Sequence, residues 1–149
     1  MNILKIKELL NEINNILKVD SVGMHEIYDD RLHPLSTTKN PFCSVEEWKA
    51  KHEKFKVKVS QEASLKRTMN KEIVCIEDTS KDPESSKEFF EFGIKSLVVF
   101  PIIKNDTVIG LITCISISKP RIFEKEKIVQ VENKIKEFIE NKEQIKDNR

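Results

Sequence analysis

Apolar residues along this chain of 149 residues change their spacing several times, and the changes divide it into elements. Near the start, Ile3, Ile6, Leu10, Ile13 and Leu17 recur at alternating intervals of three and four, with Leu4, Leu9 and Ile16 widening the stripe. That period lays them along one side of an amphipathic helix over residues 1–18. Near the other end, Ile128, Val131, Ile135 and Phe138 repeat the pattern, flanked by Val129 and Ile139. A second long helix is expected over residues 124–143.

Between them the spacing shortens. Residues 22–28 (VGMHEIY) read as a strand with Val22 and Met24 on one face, which turns His25 toward solvent or a polar edge. Asp29-Asp30-Arg31 reads as a turn. A second strand starts at Leu32, and its Pro34 suits only an edge or a bulge. Ser44 and Glu47 stand at capping-box spacing, so a helix starts there and carries Trp48. Phe55, Val57 and Val59 alternate with lysines and predict a short strand. Residues 61–69 predict a helix capped by Ser60 and closed near Asn70. Residues 73–76 (IVCI) form a short strand. Asp82, Pro83 and Glu84 then open a helix that carries Phe89, Phe90 and Phe92 and stops at Gly93.

The strongest strand signals are 96–103 (SLVVFPII) and 107–118 (TVIGLITCISIS), joined by a turn centred on Asn105-Asp106. Leu97–Phe100 is apolar without alternation. A strand of that kind is covered on both faces.

Composition narrows the function classes. The 26 basic and 25 acidic residues are interspersed, and the net charge of +1 excludes the basic footprint of a nucleic-acid binder. No apolar run is long enough to span a membrane, and residues 1–18 lack the apolar core and cleavage site of a secretion signal. The three cysteines, Cys43, Cys75 and Cys114, are odd in number and far apart, which argues against a disulfide framework. A cytoplasmic location follows as the expectation.

The stretch GIKSLVVFPIIKNDTVIGLITCISISKPRIFEKEKIVQVENKIKEFIE resembles the C-terminal half of a GAF domain. The resemblance rests on Gly93 and Ser96 before the strand, Pro101 at the end of its apolar core, and the polar turn. It continues through Ile109-Gly110, Pro120, Phe123 and the amphipathic closing helix. Upstream, IVCIEDTSKDP resembles the family's strand and loop before its short helix. The resemblance implies a single α/β (α+β) domain over 1–149. Its centre is an antiparallel sheet of about six strands. Helices from both chain ends (1–18 and 123–143) cover one face, and the loops and short helices within 19–122 form a pocket on the other. It also implies a stand-alone sensory or regulatory role: a small ligand or a partner protein binds, and terminal helices that form a homodimer transmit the signal. The pocket face would draw on Met24, Trp48, Ile76, Asp78, Thr79, Phe89, Phe92, Phe100 and Ser116, with Asp78 and Thr79 as polar anchors. The chain departs from the family in lacking glycines over 36–70 and in placing Glu124 where a Ser or Thr helix cap is common.

Some GAF-like proteins reduce free methionine sulfoxide with pocket cysteines. Here Cys75 and Cys114 sit in apolar strands and read as buried structural thiols, which leaves Cys43 as the thiol for a redox role. His25, His33, His52 and Cys43 show no close metal-ligand spacing, so no metal is expected. There is no P-loop and no dinucleotide fingerprint, and no cofactor is identified. The lysine run over 49–58 reads as a solvated face and a protected edge strand. The phenylalanine cluster with Trp48 fits either core or pocket lining. A ligand-free dimerisation scaffold with a filled pocket is the third reading.

Overall fold

In the computed structural model, residues 2–40, 43–85, 87, 89 and 92–147 are described, with side chains described as far as residue 141. Helix α1 (Ile3–Leu17) starts at Asn2, whose side chain accepts from the Leu4 and Lys5 amides, and ends at Lys18 in the left-handed conformation. Its apolar stripe buries Ile6, Leu9, Leu10, Ile13 and Leu17. At roughly 1.5–3 kcal/mol per fully buried side chain, this packing and not intrinsic propensity holds a helix of marginal length.

Strands β1 (Ser21–Tyr28) and β2 (Arg31–Thr37) follow, joined at Asp29-Asp30, both with positive φ. Helix α2 (Val45–Phe55), a 3₁₀ turn (Val59–Gln61), helix α3 (Ala63–Met69) and strand β3 (Val74–Ile76) complete the first half. Strands β4 (Ser96–Lys104) and β5 (Thr107–Ser116) form the expected hairpin, and helix α4 (Lys125–Asp147) closes the chain. Asn105 and Asp106 both take positive φ, which two-residue hairpin turns require and which Asn and Asp tolerate.

All five strands are antiparallel, in the order β2-β1-β5-β4-β3. Both faces are covered, as the unalternating run in β4 implied. On one face α1 and α4 pack on Val22, Met24, Val98, Phe100, Ile102, Ile112 and Cys114. On the other, Leu32, Val57, Val59, Leu65, Val74, Ile76, Ile94, Leu97, Val99 and Leu111 form a second core under α2 and α3. Gly110 of β5 lies opposite Glu26 of β1, close against the β1 backbone. A Cβ there would lie 2.5 Å from the His25 carbonyl oxygen.

Several local expectations are corrected. The strand expected over 55–59 is a single bridge between Arg31 and Lys58 that runs into the 3₁₀ turn, so the described residues form five strands where about six were expected. Ser60 does not cap α3. Its amide and hydroxyl donate to the Asp30 carboxylate, and α3 starts at Glu62 without a side-chain cap. Lys71, not Asn70, takes the left-handed conformation after α3. The helix expected between Asp82 and Phe92 crosses residues outside the described set, Phe90 among them. Its start is not where it was expected: Pro83 and Glu84 lie in a turn, in which the Asp82 carboxylate accepts from the Glu84 amide and the Asp82 carbonyl from the Ser85 amide. At the far end Gly93 takes φ 71° while the Ile94 amide donates to the Phe89 carbonyl. That is the Schellman closure for which glycine is favoured.

Candidate functional site

The site grows from the start of α2. The Ser44 hydroxyl accepts from the Glu47 amide, and the Glu47 carboxylate accepts from the Ser44 amide. This capping box sets the helical phase. Trp48 and His52, four residues apart, therefore share one face of α2, and that face lies on β1. Gly23 makes room for the indole, since a Cβ there would sit 3.1 Å from Trp48 Cζ2. Two residues on, His25 points to the same side of the sheet. Its ring centroid lies 5.2 Å from Trp48 and 4.7 Å from His52. Phe92 adds a fourth ring, 5.0 Å from His52.

The two imidazoles are bonded to each other, with Nε2 to Nε2 at 3.1 Å. His25 is 2% exposed and His52 8%. Burial drives both away from the charged form: His52 falls to about 4, and His25 falls well below the ordinary value, with the nearby His52 adding to the effect. Both rings are therefore neutral at pH 7. In a neutral pair one Nε2–H donates and the other Nε2 accepts. The donating ring is then left with a bare Nδ1 and the accepting ring with an Nδ1–H. Both Nδ1 atoms are buried and have no partner.

These rings line a cavity of about 80 Å³ between the sheet and the α2–α3 layer. Its walls are mostly apolar, with Leu32, Leu65, Phe89, Val99 and Ile115 among them. Ser64, in the first turn of α3, also lines it, and the Ser64 hydroxyl is a third buried polar atom without a partner. Glu62 brings the lining's one charge among the described residues, and no Lys or Arg takes part. A wider hollow of about 360 Å³ lies beside Trp48 at the α2 N-terminus, walled by Thr38, Lys39, Cys43 and Ser44. None of the buried unpartnered atoms belongs to its walls.

Of the residues expected at the pocket, the structure brings Trp48, Phe89 and Phe92 to the cavity. Met24 and Phe100 lie on the opposite face, under α1 and α4, because strand alternation puts their neighbours His25 and Val99 on the cavity side. Ile76 is in the core of the cavity face but not in its wall. Asp78 and Thr79 do not reach the cavity. The Asp78 carboxylate accepts from the Ser80 amide and hydroxyl, which lowers its pKa. The Thr79 hydroxyl donates to the Ile94 carbonyl at 2.8 Å, tying the loop after β3 to the entry of β4. Ser116 is buried and donates to the Lys119 carbonyl. His25, expected at solvent, is instead buried, because β1 is an interior strand with α2 above it. His25, His52 and Ser64 are the residues the sequence reading missed. The i, i+4 spacing of Trp48 and His52 behind a capping box was a usable signal for one of them.

The thiols also need one correction. Cys75 is exposed, because β3 is an edge strand and its alternate residues face away from the second core. Partial burial, with Glu77 beside it, still pushes its thiol up to about 11. Cys43 is half-buried, and burial raises it too, while the fully buried Cys114 is raised strongly. A nucleophilic cysteine needs the opposite shift. Among the described residues, no three His, Cys, Asp or Glu groups are placed to hold a metal ion, and no helix is long and apolar enough to cross a membrane.

Comparison with known proteins agrees with this architecture. A match to the GAF domain family covers residues 5–132. Among solved structures, the chain is similar to the photoproduct state of GAF3 from Slr1393 of Synechocystis, at 14% identity and a TM-score of 0.75, covering 90% of this chain and 89% of that one. It is similar to the blue-light-absorbing form of the Thermosynechococcus elongatus PixJ GAF domain, at 12% identity and a TM-score of 0.75, over 98% and 89% of the two chains. It is also similar to a GAF domain/HD domain protein from Geobacter sulfurreducens, at 12% identity and a TM-score of 0.73, over 89% and 86%. No curated protein matches it. With the family match running from α1 into α4, the chain belongs to the GAF domain family.

Proposed function

We propose that this chain is a sensory or regulatory domain that binds a small molecule in the cavity between its sheet and α2. One observation carries the reading. His25, His52 and Ser64, each with a buried polar atom that has no partner, are among the residues that line one mostly apolar cavity. Pockets that bind small molecules combine apolar walls with a few placed polar groups, and unpartnered buried polar atoms are costly unless something meets them. The light-absorbing relatives among the similar structures favour sensing as the broad class.

The signal would leave through the terminal helices. β1 carries His25 on the cavity face and Met24 on the face that packs against α1 and α4, so a shift of β1 reaches both layers. The terminal helices also expose Leu4 at 71% and Val129 at 46%, apolar surface that a homodimer or a signalling partner would cover. The raised thiols weigh against the sulfoxide-reductase alternative. An open cavity weighs against the filled scaffold.

The test is native mass spectrometry of the full chain purified from its own host. Thr113, on β5, is in the cavity wall, and a larger side chain there narrows the space. A reproducible extra mass, released on denaturation and absent from a Thr113→Phe variant, supports binding. Bare chain in both samples, or an adduct that survives the substitution, overturns it.

A further inference from the structure

We infer that the cavity takes a small uncharged apolar molecule, or the apolar end of a longer one, lodged between Trp48, Phe92 and the centre of the sheet. The inference rests on the ligand-binding reading above and adds the chemical class. The wall carries the argument. Leu32, Leu65 and Val99 line the cavity with hydrocarbon, and Trp48 and Phe92 add rings. The unpartnered polar atoms of His25, His52 and Ser64 are themselves covered, so they offer an occupant no surface. β5 is the central strand of the sheet, yet Thr113 and Ile115 on its cavity face stay only half-buried. The layer above does not close on the sheet there, which puts the space over the middle of β5.

Water and charge point the same way. A buried water needs two to four polar partners, and a mostly apolar wall supplies few, so an apolar group displaces it at little cost. Among the described residues the lining holds no Lys or Arg and one charged residue, Glu62. An anion finds no counter-charge there. A cation would meet only the half-buried Glu62 while shedding its water into hydrocarbon, which is costly. Size sets the scale. At about 80 Å³ the cavity is roughly half the volume of an engineered apolar cavity that takes benzene, so about three or four carbon atoms fill it.

Trp48 is the chain's single tryptophan and sits in the cavity wall, so its emission reports occupancy. The experiment titrates the full chain with the primary alcohols from ethanol to hexanol, a series that adds one methylene at a time. Affinity should rise about fourfold with each methylene as far as butanol and then level off, because the cavity is full. Ile115→Phe fills the cavity and should abolish the response, and Leu65→Ala enlarges it and should carry the rise on to hexanol. Xenon has no polar group, and its ¹²⁹Xe shift in the presence of the chain should revert when butanol is added. A rise that runs to hexanol without a break in the wild type, or an unchanged series in Ile115→Phe, overturns the cavity as the place of selection. A ¹²⁹Xe shift indifferent to butanol overturns the apolar class. Tighter binding of butylammonium or butyrate than of butanol overturns the uncharged class. No saturable response to any alcohol overturns the inference, and the host-purified mass then judges the binding reading independently.

Discussion

The buried histidine pair makes the fold acid-sensitive in a defined window. In the unfolded chain both imidazoles take up protons near 6.5, the ordinary histidine value. In the folded chain His52 does so only at about 4, and His25 well below its ordinary value. Between those limits the unfolded state binds more protons, so stability rises with pH. The contribution is fully present above about 6.5 and is lost as the pH falls toward the folded values. Each histidine supplies a slope of about 1.4 kcal/mol per pH unit in that window. For His52 alone the loss from pH 6.5 to pH 5 is about 2 kcal/mol, reaching about 3 kcal/mol near its folded value. Carboxylates act elsewhere. Burial raises Asp20, but bonds from Ile117 and Ser118, with Arg121 nearby, outweigh it and leave it lowered. Its contribution is therefore lost only below about pH 4. Urea unfolding of the full chain, extrapolated to water at half-unit steps from pH 7.5 to 5, measures the slope. His52→Phe should flatten it by about half. Wild-type stability constant to within about 0.5 kcal/mol between pH 7 and 5, or a slope untouched in both His52→Phe and His25→Phe, would refute the neutral buried pair.

Three further outcomes follow from the geometry. Gly110→Ala places a methyl 2.5 Å from the His25 carbonyl, a clash with backbone that no side chain can relieve. A loss of about 1–3 kcal/mol is expected from overpacking, read by denaturation, and a neutral result would contradict the β1–β5 register. Ser44→Ala removes half of the capping box and should cost about 1 kcal/mol, with a shift in Trp48 emission as the α2 start loosens. Iodoacetamide at pH 7 should leave the buried Cys114 untouched until unfolding and should label Cys75 and Cys43 slowly, because their thiols are raised. Fast labelling of Cys43 in the native protein would reopen thiol chemistry at that site.

The elements with a two-sided apolar signal were legible in the chain. The β4–β5 hairpin, its Asn105-Asp106 turn and both terminal helices lie where period and turn chemistry put them. The same two-sidedness hid the cavity. In β4, Leu97, Val98, Val99 and Phe100 are all apolar, so nothing local says which pair faces α1 and which faces α2. Phe100 and Met24 were therefore expected on the wrong side. His25 and His52 come from a strand and a helix 27 residues apart, and each alone reads as an ordinary polar position. Their pairing follows from the crossing of α2 over β1, which the space at Gly23 permits. Asp78 and Thr79 looked like anchors because they are polar and follow a strand. Their partners Ser80 and Ile94 are set by the return of the chain into β4, which local pattern does not encode.

Ligand binding in the cavity is the central claim, and adding back the released molecule tests it most directly. The small molecule freed from host-purified protein is titrated into the stripped full chain while Trp48 emission is followed, with Thr113→Phe as the blocked control. Ligand binding predicts a saturable change at one molecule per chain that the substitution abolishes. No change in Trp48 emission, or an identical titration in the blocked variant, would contradict it.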